Sequence, residues 1–216
     1  MRVLTVYGDS IAAGFGAQPG QGFVAKLASR AAATGTQPVR FLDFGVPGMT
    51  SPQLASALRD NDAWCGGPRA ASSVCVFIGG DDSVGSIPAL LSSRPQSGIE
   101  RMLAAGDAAY AAVLAAIRGA GRVRLAVGTL YNPFPNTALA ETAVSAYNEF
   151  VIRPAAGRAG AAVAPVHAAF AGRQAALIHG YSDGVAGAPG RGGVRHPVHP
   201  NARGHTAIAD AFAAGL

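Results

Sequence analysis

Five short runs of apolar, often β-branched residues punctuate the chain, at Val3–Tyr7, Val39–Phe44, Val74–Ile78, Val123–Val127 and Ala161–Val166. Each is nearly continuous in hydrophobicity instead of alternating, the pattern of strands covered on both faces in a parallel sheet. Between them lie Ala-rich stretches of helical character, roughly Phe23–Ala33, Ser51–Arg59, Gly98–Arg118 and Ala138–Ala159. A last helix is expected over Ala202–Ala213, with Asn201 placed to cap its first turn. Strand–helix alternation along the whole length predicts an α/β sandwich built on a parallel sheet. No internal repeat or linker interrupts it, so residues 1–216 read as one domain, a size that a single core fills. One segment breaks the pattern: Tyr181–Val198 is rich in Gly, Pro and Arg and has no periodicity, which reads as an inserted functional loop.

Composition narrows the picture. Hydrophobic residues make up 50% and charged residues 13%, far from the make-up of a disordered chain. The net charge is +5, but the arginines are scattered from Arg2 to Arg203 and Lys26 is the only lysine. Without a basic run or interleaved aromatics, this reads as a solvated basic surface, and no nucleic-acid partner is expected. No apolar stretch reaches the length of a membrane span, so no integral membrane segment is expected. The opening MRVLTVYGDS runs straight into its first strand without the form of a secretory leader, which sets the expectation of a cytoplasmic location. Cys75 sits in an apolar run and is expected as a buried free thiol; a disulfide with Cys65 would require export.

Chemistry is concentrated where strands should end. Gly8-Asp9-Ser10 follows the first, Gly45-Val46-Pro47-Gly48 the second, and Gly79-Gly80-Asp81-Asp82 the third. His199-Pro200-Asn201, then Gly204-His205, open the last helix. In open α/β sheets ligands bind at the carboxyl ends of the strands. A serine hydroxyl becomes a nucleophile when a base takes its proton, and imidazole is the suitable base near neutrality. A tetrahedral intermediate needs converging N–H donors, which glycine lets approach closely. Asp9 is placed to steady the serine turn through backbone hydrogen bonds. There is no Walker A motif and no GxSxG elbow, and GFGAQPG after Ser10 has the wrong spacing for a dinucleotide fingerprint.

Together and in this order, these blocks resemble the four blocks of the SGNH (GDSL-type) hydrolase family, over almost the whole chain. The resemblance implies a flavodoxin-like three-layer α/β/α sandwich with a five-stranded parallel sheet. It implies Ser10 as nucleophile, His199 as base, and an oxyanion hole formed by Ser10, Gly48 and the residue at position 81. The implied activity is hydrolysis of a small-molecule carboxylic ester without cofactor or metal. An acyltransferase, or a biosynthetic catalyst working through an acyl-enzyme, is a second reading; a binding protein that has lost turnover is a third.

Two positions depart from the family pattern. Asp81 stands where the family has Asn, and an ionised carboxylate donates no hydrogen bond to an oxyanion. It donates only when protonated, and otherwise turns away to cap a loop. His196 stands where the family has the acid that orients the base. Either Asp183, displaced by the inserted loop, takes that part, or a backbone carbonyl near His196 does. His196, His199 and His205 also raise a weaker metal-site reading. His205 is expected in packing or capping, and His167 and His179 have no partner legible in the sequence.

Overall fold

The computed structural model describes residues 1–35, 37–85, 95–134, 138–181 and 198–216. Asp183, His196 and most of the expected loop at 181–198 lie outside the described residues. Five strands form one parallel sheet: β1 (Arg2–Gly8), β2 (Val39–Gly45), β3 (Ser73–Phe77), β4 (Arg124–Gly128) and β5 (Ala162–Ala164), in the order β2-β1-β3-β4-β5. This is the flavodoxin-like order, in which the chain reverses direction across the sheet between β1 and β3 and opens a crevice at their carboxyl ends. β1, β3 and most of β4 are buried, as continuous hydrophobic strands must be. β2 corrects the expectation of cover on both faces: it is an edge strand, with Arg40, Phe41 and Asp43 exposed.

Helices cover both faces. α1 (Phe23–Ala33) packs on the last helix, which the structure bounds at Ala202–Ala213, and both lie on one side of the sheet. There Phe23, Phe77 and Phe212 meet as one aromatic cluster, Phe77 edge-on to the other two with centroids 5.9 and 6.0 Å away. Gly128 makes room for it, since a Cβ there would strike the Phe77 and Phe212 rings. On the opposite side lie α2 (Ser51–Asp60), α3 (Asp62–Ala70), a short α4 (Gly80–Gly85), α5 (Pro95–Ala120), and a helical run from Ala138 to Ala159. That run is α6 (Ala138–Tyr147), a π turn (Asn148–Ile152) and α7 (Arg153–Ala159). Two short helices, α8 (Val166–Phe170) and α9 (Gln174–Leu177), precede the last helix, α10.

Short helices escaped the sequence reading because segments of four to nine residues hold too few turns to show a period; α3 also carries two glycines and an internal Pro68. α5 is longer than expected, and its segment Gln96–Ala120 is long and apolar enough, by length and composition alone, to cross a membrane. Here it turns Ile99, Met102, Tyr110, Val113, Leu114 and Ile117 into the core. Cys65 and Cys75 are both free thiols, and Cys75 is fully buried on β3.

Candidate active site

The sheet register sets Gly8 beside Gly45 on one side and Phe77 on the other, so the turns leaving β1, β2 and β3 emerge together. Neither glycine tolerates a side chain: a Cβ on Gly8 would meet the Phe77 carbonyl, and one on Gly45 would meet the backbone of Ala12 and Ala13. The turn after β1 is closed by Ala13 N–H donating to Asp9 O at 3.1 Å and Phe15 N–H to Ser10 O at 2.9 Å. The buried Asp9 carboxylate accepts the Ile11 N–H at 2.9 Å, spanning Ser10. This leaves the Ser10 side chain half-buried, with its Oγ 2.9 Å from Nε2 of His199, 189 residues further along the chain.

His199 is held by a short antiparallel pairing with the segment after α9. Asn201 N–H donates to Leu177 O at 2.8 Å and His179 N–H to His199 O at 3.1 Å, around the bridge Ile178–Pro200. Asn201 caps α10, its Oδ1 accepting from Arg203 and Gly204 N–H, while its amide donates to Ala176 O. Burial, and next the neighbouring His179, hold the His199 imidazole below the usual histidine value. It is therefore neutral at pH 7 and free to accept the Ser10 proton. The half-exposed Phe15 ring lies against it, with centroids 5.5 Å apart.

After β2, Val46, Pro47, Gly48 and Met49 make a reverse turn closed by Met49 N–H donating to Val46 O at 3.0 Å. Proline at its second position and glycine with φ 79° at its third meet the requirements of a type II turn. The Gly48 N–H takes no part in the closing bond. After β3, Gly79 takes φ 112°, open to glycine, and α4 begins with Asp81 and Asp82 in its first turn. Asp82 accepts from the N–H of Ser51 at 2.9 Å and from its hydroxyl at 3.1 Å, so it caps α2 from across the crevice. Asp81 is half-buried in this turn, and its charge acts on Asp9. Burial first, then the neighbouring Asp82, raise its carboxyl above the usual range. Asp9 is shifted further, to about 7, by burial above all and by the charges of Asp81 and Asp82.

The other described histidines, His167, His179 and His205, find partners. His205 is fully buried, and its Nδ1 accepts the Phe23 N–H at 3.1 Å while its Nε2 donates to Phe15 O at 2.9 Å. It is thus a neutral clamp between the turn beside His199 and the first N–H of α1. His179 contacts Gly16 O through Nε2 at 2.8 Å, and His167 contacts Glu141 through Nε2 at 2.9 Å. No three His, Cys, Asp or Glu side chains among the described residues are grouped to hold a metal ion.

The profile of the GDSL-like lipase/acylhydrolase family matches residues 6–207, nearly the whole chain. The chain belongs to this family. Solved structures of similar fold include the lipase Lip_vut3 from a goat rumen metagenome, with TM-score 0.80 at 20% identity, covering 100% of this chain and 97% of that one. A catalytic mutant of Axe2, an acetylxylan esterase from Geobacillus stearothermophilus, gives TM-score 0.71 at 17% identity, covering 99% and 93%. A member of the lipolytic G-D-S-L family from Veillonella parvula gives TM-score 0.64 at 16% identity, covering 98% and 96%. No curated protein matches the chain. At these identities the structural likeness carries the fold, and the family assignment carries ester hydrolysis as the general activity. In this chain Gly8-Asp9-Ser10 and the His199 segment meet beyond the carboxyl end of β1.

Proposed function

We propose that this chain hydrolyses small O-acyl esters through an acyl-enzyme on Ser10. The observation that carries the reading is the 2.9 Å approach of Ser10 Oγ to the neutral His199 Nε2 at the sheet's switch point. In this mechanism His199 Nε2 takes the hydroxyl proton as Oγ bonds to the acyl carbon. The carbonyl oxygen becomes an oxyanion facing the N–H groups of Ser10 and Gly48. His199 passes its proton to the departing alcohol as the C–O bond breaks. Water then attacks the acyl-enzyme, giving its proton to His199, and collapse returns the acid and the Ser10 hydroxyl. No cofactor or metal enters these steps.

The experiment is treatment with a fluorophosphonate followed by mass mapping. The expected adduct lies on the peptide containing Ser10, is nearly lost in His199→Ala, and persists in His205→Ala. An adduct elsewhere, or none on folded protein, removes the reading. Turnover is best measured on a short-chain aryl ester with acetylated xylan as a second substrate, and product analysis with added alcohol separates hydrolysis from acyl transfer. Asp183→Asn tests the orienting acid: a carboxylate partner costs about 10⁴-fold on removal where it is required, whereas kcat/KM within threefold of wild type assigns that part to a backbone carbonyl.

A further inference from the structure

Both peptide units flanking His199 are tied to groups outside the Ser10–His199 pair. The unit after it is held by the His179 N–H, which donates to His199 O at 3.1 Å. The unit before it is held by Tyr131, whose hydroxyl donates to Val198 O at 2.5 Å. With both planes fixed, the φ and ψ of His199 are fixed, and so is the Cα–Cβ bond that aims the imidazole at Ser10. We propose that Tyr131 is a positioning residue for the base, its hydroxyl acting through the Val198 carbonyl to hold His199 Nε2 at Ser10 Oγ. The inference rests on the reading of His199 as the base.

Tyr131 is well mounted for this. It stands three residues beyond β4, on a segment gripped at every step. Thr129 N–H donates to Ala164 O at 3.1 Å, continuing the sheet pairing. Both backbone groups of Leu130 are taken by the Asn148 amide, at 2.8 Å each. Asn132 Oδ1 accepts the Phe134 N–H at 2.9 Å. Asn148 is the first residue of the π turn between α6 and α7, closed by Arg153 N–H donating to Asn148 O. Such single π turns inside helices recur beside functional sites, and this one presents a side chain that acts as an extra strand partner for Leu130.

The ring of Tyr131 is buried and stacks on Phe170, centroids 4.2 Å apart and planes 11° from parallel. A phenylalanine would fill that stack equally well. The hydroxyl is what tyrosine adds, and its partner is the carbonyl next to the base. Burial raises the phenol far above its ordinary value, so the group remains a donor at every working pH. A group that fixes geometry without touching substrate acts on the chemical step, where a displacement of about 1 Å costs about 100-fold.

The test compares Tyr131→Phe, Phe170→Leu and wild type in the full chain, each normalised by active-site titration to remove unfolded protein. For Tyr131→Phe the expected result is a fall of about 10- to 100-fold in kcat and in the rate of fluorophosphonate labelling at Ser10, with KM within twofold of wild type. Phe170→Leu, which disturbs the stack and keeps the hydroxyl, is expected to melt lower and to label within threefold of wild type per titrated site. Tyr131→Phe at the wild-type rate would overturn the proposal. So would an equal loss in Phe170→Leu, which assigns the effect to ring packing. If Tyr131→Phe does not fold, Tyr131→Leu takes its place, with Phe170→Leu as the control for lost packing, and the same results decide. Wild-type protein that never labels at Ser10 sinks the function proposed above, a result distinct from labelling that ignores Tyr131.

Discussion

A side chain at Gly16 would overlap the carbonyl oxygen of Pro200, the residue that follows the candidate base. Gly16 also takes φ 90°, a conformation that L side chains rarely adopt. The loop carrying Phe15 therefore lies against the His199 backbone with no space between them, and His199 Cβ itself is 3.3 Å from where the new carbon would stand. Gly16→Ala is expected to push this loop and His199 apart. Because the productive geometry is narrow, kcat/KM should fall about 100-fold, with a drop of several degrees in melting temperature. A variant of wild-type rate would mean that the loop yields without moving His199.

His205 acts on the same loop from below. Replacing it with Ala orphans the Phe23 N–H, the first of α1, and the Phe15 carbonyl, both bonded to the buried ring. Each lost partner costs about 1–3 kcal/mol, so His205→Ala should lower the melting temperature by about 5–15 °C at pH 7.5. The clamp requires a neutral imidazole, and burial holds its folded-state value below the ordinary 6.5. Its contribution is thus complete above about pH 6.5 and lost as pH falls through the folded value. Melting curves of the two proteins should converge on acidification, and a gap that widens instead would contradict the neutral assignment.

Asp9 gives the opposite sign. Its folded-state value is about 7, against 3.8 ordinarily. Between those values the folded chain keeps a proton that the unfolded chain releases, so this group lowers stability as pH rises through that window and adds nothing further above it. Asp9→Asn keeps an oxygen for the Ile11 N–H and has no proton to lose. The difference in melting temperature, variant minus wild type, should be near zero at pH 4 and reach several degrees at pH 8, measured by calorimetry. A difference that does not change with pH would show that Asp9 carries no buried-charge penalty.

Much of this site was legible from the chain. The strand ends, Ser10, Gly48 and the HPN segment stood out because each departs from a hydrophobic period at a point where the chain must turn. The helices Phe23–Ala33 and Ala202–Ala213, and the Asn201 cap, agree with the observed elements because three turns of amphipathic pattern and a side-chain cap are local signals. What stayed hidden is long-range. Asp82 capping α2, His205 capping α1 and Tyr131 holding Val198 join residues 31, 182 and 67 positions apart. A single sequence carries no local mark of such pairs. The edge status of β2 was hidden for the same reason, since burial of its face depends on what lies beside it in space.

Asp81 is where the family pattern and the electrostatics meet. It is half-buried, and burial with the neighbouring Asp82 makes its carboxyl hold its proton to higher pH than usual. Were position 81 part of the proposed oxyanion hole, a protonated Asp81 would supply an O–H donor and an ionised one would repel the charge. Activity on a short-chain aryl ester should therefore carry one limb from His199, which loses its proton below pH 6.5, and a second from Asp81, whose donation is lost as its carboxyl ionises. Asp81→Asn supplies a donor at every pH. It should leave the acidic limb in place, flatten the fall assigned to Asp81, and raise kcat at pH 8 by about 10- to 100-fold. Asp9, ionising near 7, produces a limb of its own, so the Asp9→Asn profile measured alongside separates the two carboxylates. If Asp81→Asn lowers kcat at all pH values, the carboxylate is doing something an amide cannot, such as holding a substrate cation, and position 81 leaves the oxyanion hole.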